Sequence, residues 1–271
     1  MISLQERQDL SKIKITDNIM FTSVFSNLEI VKKFLELLLS INIKTIKVLQ
    51  KEKAIDTIGK SRGVRFDVYL ENDAAIYDIE IQTSNTYDLP KRTRYYHSSI
   101  DSDLLDKGEK SFNILKVSYV IFICTFNPFN VENINECIYK FEKICILENK
   151  VLKLNDKSYD IFINSKCDLS KVKNNDVKAF IELLNNGYHS ETKSELTNMI
   201  ENEMSRLKEN EEWRKEYMTL QEYDERMIVY VDMAKKMIKE KCSDEFILKI
   251  VDLSEEQLER IRYDVEHGYE S

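Results

Sequence analysis

The chain has 271 residues and is 42% hydrophobic, with 12 Phe and 14 Tyr, enough apolar mass for one large domain or a domain with an appendage. Its net charge of −8 argues against tight, non-specific coating of DNA, and no apolar run approaches the ~18 residues that would read as a membrane span. The start, Met1–Ile2–Ser3–Leu4–Gln5–Glu6–Arg7, is charged and lacks the apolar core of a signal peptide. The five cysteines (Cys124, Cys137, Cys145, Cys167, Cys242) are odd in number and show no paired spacing, so the expectation is a reduced, cytoplasmic protein without a disulfide framework or zinc site.

The acidity is local. Residues 191–271 hold 13 Lys+Arg against 22 Asp+Glu, a balance of −9, which leaves residues 1–190 at +1 and free to carry a basic groove.

In chain order, residues 17–41 read as two helices. Asp17 is placed to cap the first, which carries Met20, Phe21, Val24 and Phe25. Ser26 with Glu29 has capping-box spacing for the second, whose stripe is Ile30, Val31, Phe34, Leu37, Leu38 and Ile41. A strand is expected near Ile43–Leu49, followed by a loop around Gly59–Gly63. Arg65–Leu70 and Ile76–Gln82 alternate apolar and polar, the period of half-buried strands, and Glu71–Ala75 between them carries an Asn-Asp turn signal. A two-residue turn at Asn72–Asp73 puts Asp67 opposite Asp78, with Glu80 as its diagonal neighbour and Asp78, Glu80 and Gln82 on the same face. Opposed Cβ atoms in a sheet lie roughly 4.5–5.5 Å apart. Carboxylates that close repel unless a cation sits between them, and hard oxygen ligands suit magnesium or manganese. The plainer reading is a solvated sheet edge.

Asp88 and Pro90 start a helix that runs to about Leu105 and carries Lys91, Arg92, Arg94, Tyr95 and Tyr96. Val117–Cys124 is continuously apolar, as for a central strand buried on both faces, with Cys124 as plain core. Cys137–Ile146, Val151–Leu154 and Tyr159–Ile163 look strand-like, and residues 174–187 form a short helix ending near Gly187. Strands interleaved with helices predict an α/β sandwich. From Glu195 onward the chain is helical. Trp213, Tyr217, Leu220, Met227, Val231, Ala234 and Ile238 follow 4-3 spacing, with Asp224 breaking one seam position, and the clean heptads are too few for a coiled coil. Asp244–Val251 and Glu255–Tyr263, joined by a Ser254/Gln257 capping box, outline a helix-turn-helix. The acidic second helix (Glu255, Glu256, Glu259) argues against DNA reading.

Four pieces occur in order: Thr16–Asp17–Asn18–Ile19–Met20–Phe21–Thr22–Ser23–Val24–Phe25; Phe66–Asp67–Val68 with Ile79–Glu80–Ile81–Gln82; Lys91–Arg92–Thr93–Arg94–Tyr95–Tyr96; and Gly108–Glu109–Lys110 ahead of the strand ending Phe122–Ile123–Cys124–Thr125–Phe126. The set resembles the PD-(D/E)XK nuclease superfamily, and more closely its recombination-promoting nuclease (Rpn) and transposase-like branch. The likeness covers about residues 15–170, and the helical tail also resembles this branch.

The resemblance implies a restriction-endonuclease-like core, a mixed sheet flanked by helices, in a nuclease-like domain of residues 1–190. An acidic helical extension, 191–271, follows. It implies metal-dependent hydrolysis of DNA phosphodiesters and a role in DNA recombination or mobility. Asp67, Glu80 and the Ile81 carbonyl would hold Mg²⁺ or Mn²⁺, and Asp67, Glu80 and Gln82 are the catalytic candidates. Asp17 is open between helix cap and extra ligand, and Asp78 between spare ligand and bystander. Gln82 stands where the superfamily pattern usually has Lys, though this branch commonly shows Gln. Its amide orients a water but brings no positive charge, which leaves the general base unassigned. Lys91, Arg92 and Arg94 either contact phosphates or form an ordinary solvated helix face. Tyr95 and Tyr96 read as core or rim aromatics, and His97 as a packed or surface residue ahead of a proton shuttle. His189 and His267 fall outside the resemblance. The rival expectation is a non-catalytic nuclease-fold scaffold, which pairs copies through the Trp213–Ile238 stripe or mimics DNA charge with its acidic tail. No Gly-rich phosphate loop and no Ser/His/Asp or Cys/His arrangement is legible from spacing.

Overall fold

The computed structural model describes residues 10–55, 64–105, 111–148 and 150–268. The charged start, the Gly59–Gly63 loop and the Gly108–Glu109–Lys110 piece lie outside the described residues.

Helix α1, Asn18–Val24, starts where the Asp17 carboxylate accepts the Met20 N–H at 3.0 Å. Helix α2, Leu28–Leu39, is capped by Asn27, which accepts the Glu29 N–H at 3.1 Å. This corrects the expected Ser26 cap: the Ser26 hydroxyl turns back and donates to the Thr22 carbonyl at 2.5 Å, so it is spent on the preceding helix. Strand β1, Val48–Ile55, begins later than the expected Ile43–Leu49. Ile43 is buried in irregular backbone, and its N–H donates to the Glu36 carboxylate at 2.9 Å.

Strands β2, Val64–Glu71, and β3, Ala75–Gln82, form the expected hairpin, but its register needs correction. Val68 pairs with Ile79 and Glu71 with Ile76, which puts Asp67 level with Glu80 and not with Asp78. The cause is the Asn72 side chain. Its oxygen accepts the Ala74 and Ala75 N–H groups at 2.9 and 2.7 Å, closing an Asx turn centred on Asp73–Ala74. The displacement is two residues, so the slip itself preserves parity, but alternation along β2 breaks at Asp67: Phe66 packs beside Tyr69 and Tyr96, with ring centroids 5.8 and 5.3 Å away.

Helix α3, Leu89–Leu104, crosses from β3 to the parallel strand β4, Val117–Cys124. Strands β5, Ile138–Phe141, β6, Ile144–Leu147, β7, Lys150–Lys153, and β8, Ser158–Asn164, follow. The main sheet has the order β1-β2-β3-β4-β8-β5, mixed in direction, and β6–β7 is a separate hairpin. Helix α3 buries Leu89, Tyr96 and Ile100 against Phe66, Val120, Phe122 and Phe162, each worth about 1.5–3 kcal/mol of burial. His97 fastens the same helix to the sheet. Its Nδ1 lies 2.8 Å from Ser118 Oγ and its Nε2 3.1 Å from Asp160 Oδ1. Helix α1 touches β1 and β2, and α2 touches α4, Asn175–Asn186, with Phe34 and Phe180 rings 5.2 Å apart. Gly187 ends α4 at φ 90°, and a Cβ there would come within 2.6 Å of the Lys14 side chain, so glycine is required twice over.

Chain contacts divide the molecule into two compact units, Met1–Lys208 and Glu209–Ser271. Helix α5, Glu195–Glu209, goes mostly with the first unit, buries Leu196, Ile200 and Met204, and pairs Glu195 with Lys33 of α2. The second unit holds α6, Glu211–Lys239, α7, Asp244–Ile250, and α8, Glu255–Glu266, with Ser254 and Gln257 closing a capping box. Its core includes Ala234, Ile238, Ile247, Val251, Leu258 and Ile261, so the later part of the 4-3 stripe is consumed inside the chain.

Cys137 and Cys167 form a disulfide across 30 residues, with Cα atoms 5.0 Å apart, which overturns the expectation of no disulfide. The residue before β5 and the turn after β8 meet only because β5 pairs back on β8. Among the described residues, no helix is long and apolar enough to cross a membrane.

Candidate active site

The sheet opens at Asp67. The β1–β2 ladder runs from Val48–Glu71 to Ile55–Val64 but omits the rung at Glu52 and Asp67, and Glu52 sits in the left-handed region at φ 54°. For a non-glycine residue that costs on the order of 1–3 kcal/mol, the kind of strain that gathers at functional sites. On its other side, the β2–β3 ladder stops at Val68–Ile79. Side chains replace the next rung: the Asp67 N–H donates to Glu80 Oε1 at 2.9 Å, and the Ile81 N–H donates to Asp67 Oδ2 at 3.1 Å. Each carboxylate is thus held by the backbone of the opposite strand.

Helix α3 supplies the cation. Arg92 donates to Gln82 Oε1 at 2.9 Å and to the Tyr96 hydroxyl at 2.8 Å, and its Nη2 lies 3.6 Å from Glu80 Oε2. The Tyr96 hydroxyl reaches the same Glu80 oxygen at 3.5 Å. Residues 92 and 96 are one helical turn apart, so both face the sheet.

Asp67, Glu80, Ile81, Gln82 and Arg92 meet in one cleft of about 330 Å³. Thr16, Asn18, Arg65, Thr83 and Tyr96 complete its walls. Asp17 stays at the helix cap, and the residues on either side of it line the cleft. Lys91 and Arg94 are exposed on α3 and are not part of the lining. His97 belongs to the Ser118–Asp160 chain described above. Ser118 is buried within β4, which makes that constellation a structural fastening and not a nucleophile. From sequence, Tyr96 reads as a core or rim aromatic, and Arg65, Thr16, Asn18 and Thr83 carry no assigned role. Tyr96 alone left a signal, its one-turn spacing from Arg92.

The electrostatics are those of carboxylates short of cations. Burial pushes Asp67 up to about 6, partly countered by the Ile81 amide and Arg92. Burial and then the Asp67 charge push Glu80 up to about 8. Asp78 is fully buried, and burial followed by the Glu80 charge raises it well above the usual range. Among the described residues no donor reaches either Asp78 oxygen; the polar group facing it is the Glu80 carboxyl, so the two meet favourably only by sharing a proton. Among the described residues, no group of three His, Cys, Asp or Glu side chains is arranged as a metal cage. Two carboxylates and a backbone carbonyl do fit magnesium, which keeps several of its waters and takes few protein ligands. Part of the rise at Glu80 comes from the Asp67 charge, a repulsion that a bound cation would relieve.

A family model described as PD-(D/E)XK nuclease family transposase matches residues 18–240. No curated protein and no solved structure matches the chain.

Proposed function

The chain belongs to the PD-(D/E)XK nuclease family transposases, a nuclease-like family, and we propose that it is a metal-dependent endonuclease that hydrolyses DNA phosphodiester bonds in recombination or transposition. The observation that carries this reading is the placement of Asp67 and Glu80 level with each other across an opened rung, with Arg92 bound to Gln82 beside them.

Asp67, Glu80 and the Ile81 carbonyl would hold Mg²⁺ or Mn²⁺, which when bound supplies Lewis acidity and a water of lowered pKa. The remaining work falls to the chain. Gln82 spends its oxygen on Arg92, so its NH₂ group is the donor left for a water or a phosphate oxygen. Arg92 supplies from α3 the positive charge that a lysine at position 82 would bring, and Tyr96 and Gln82 fix the guanidinium in place. Arg65, exposed on the cleft wall and paired with Glu52 at 2.7 Å, is positioned to exchange that partner for a phosphate. Lys91 and Arg94 face solvent on the same helix and would meet the flanking DNA backbone. Asp17 holds Thr16 and Asn18 at the cleft through its cap and reaches no further in this reading. The chemistry is assigned to residues 1–190, and no catalytic step is assigned to the acidic region 191–271.

The test is nicking of supercoiled plasmid with Mg²⁺ or Mn²⁺, beside an Asp67→Ala/Glu80→Ala double variant prepared identically. Cleavage lost in the variant supports the assignment. No cleavage by either protein, with no metal-dependent rise in melting temperature, would return the scaffold reading.

A further inference from the structure

The hairpin β6–β7 is the least self-sufficient element of the fold. Among the described residues it pairs only with itself, Ile144 with Lys153 through Leu147 with Lys150, and every residue of both strands is exposed. A two-stranded hairpin alone is marginal in water. This one is apolar on both faces: Ile144, Ile146 and Val151 lie on one, and Cys145, Leu147 and Leu152 on the other. Ile146 is 80% exposed, and Ile144, Leu147, Val151, Leu152 and Leu154 are between 48% and 64% exposed. Together they amount to between three and four fully exposed large apolar residues, on the order of 600 Å². A standard interface takes about 800 Å² from each partner. Phe141, half exposed at the end of the edge strand β5, extends the strip onto the sheet.

The charges around this strip select the occupant. At the base, Lys143 pairs with Asp156 and Lys153 with Glu142, both at 2.5 Å. At the turn, Glu148 and Lys150 carry opposite signs. Residues 142–156 balance three lysines against three acids, with Lys140 and Lys157 flanking them; a charged tip opposes insertion into a bilayer, and a balanced hairpin holds a phosphate backbone by no net attraction of its own. An apolar, charge-balanced strip beside an open sheet edge is complementary to itself, which is what a two-fold interface requires. We infer that β6–β7 is a dimerisation arm and that its occupant is a second copy of this chain. The inference is independent of the nuclease reading.

The test is sedimentation velocity of the full chain over a wide concentration range, beside an Ile146→Lys/Val151→Lys double variant. Both side chains face solvent in the single chain, so the variant should keep the wild-type circular dichroism spectrum. The expected result is a wild-type dimer whose dissociation constant rises more than ~100-fold in the variant. Hydrogen exchange gives a second readout that needs no variant: amides of residues 144–153 should become protected as wild-type concentration rises. A wild-type monomer at every concentration overturns the proposal. So does a dimer that the double substitution leaves intact, which would place the contact elsewhere, for instance on the C-terminal helices. Binding to phosphatidylcholine/phosphatidylserine vesicles that the double substitution abolishes would assign the arm to membranes instead.

Discussion

On the proposed metal-dependent reading, Arg92→Gln should separate metal loading from catalysis. In the wild-type protein Arg92 Nη2 lies 3.6 Å from Glu80 Oε2, with the arginine side chain 28% and the glutamate side chain 3% exposed. At that distance and an effective dielectric near 20, the attraction is roughly 4–5 kcal/mol before screening. A cation binding at Glu80 works against the guanidinium, and even a third of that energy is about a tenfold change in affinity. Removing Arg92 should therefore tighten Mg²⁺ binding about tenfold while slowing cleavage by ~10²–10³, the usual loss when a preorganised donor to developing negative charge is removed. Proton competition must be kept out of the measurement, because Glu80 is pushed up to about 8 and losing Arg92 pushes it higher. The gain in affinity should be plain near pH 9 and shrink near pH 7. Calorimetric Mg²⁺ titration gives the affinity, single-turnover plasmid cleavage gives the rate, and Arg92→Lys should restore part of the rate. Wild-type cleavage by Arg92→Gln would refute the idea that this guanidinium replaces the missing lysine charge. Affinity and rate falling together at pH 9 would show that Arg92 merely holds Glu80 in place.

The raised carboxyls set a pH dependence. Their folded pKa values lie above the unfolded ones, so the stability they contribute is full below about pH 4 and is lost as pH rises through about 6 for Asp67 and about 8 for Glu80. In EDTA the melting temperature should fall across that window, and Asp78→Asn should melt several degrees higher near pH 8 with a flatter profile; an unchanged profile would show that Asp78 carries no such load. His97→Ala removes the bonds to Ser118 and Asp160 and should cost about 1–3 kcal/mol, lowering the melting temperature by ~2–4 °C per kcal/mol with cleavage unchanged. Loss of cleavage without loss of stability would restore His97 as a proton shuttle. Reducing Cys137–Cys167 opens a loop of 30 residues and should cost up to about 3–4 kcal/mol, which thermal melts with and without dithiothreitol would reveal. Cys137→Ser should show the same loss and no further response to reductant.

Local patterns carried much of the fold. The apolar run of β4 has the bounds expected of it, and Gly187 stops α4 where glycine is needed. Alternation along β3 placed Glu80 and Gln82 on one face, and the hairpin brought Asp67 beside them, although alternation along β2 breaks at that residue. The pairing itself was not legible, since Asn72 used its side chain as part of the turn and shifted the partner of Asp67 from Asp78 to Glu80. The site was half readable. Its carboxylates sit on one hairpin, a local unit. The Arg92–Gln82 bond joins a helix to a strand, and Arg65, Thr16 and Asn18 converge only in three dimensions. The same reason hid the disulfide, as a separation of 30 residues is no motif until β5 returns to β8.

The exchanged rung at Asp67 and Glu80 has a consequence for descent. Each carboxylate there closes the sheet by accepting one backbone N–H, and an amide oxygen of the same shape accepts that bond equally well. Asn at position 67 or Gln at position 80 lies a single base change away in the genetic code. Either would keep the strands joined while discarding charge that a cation needs, and would relieve the repulsion between buried acids as well. On the proposed reading, a lineage carrying this sheet would lose its chemistry in one such step while keeping the strands joined. Silent, well-folded cousins are the expected by-product of this design, and the identities of residues 67 and 80 are where they would be told apart from active members.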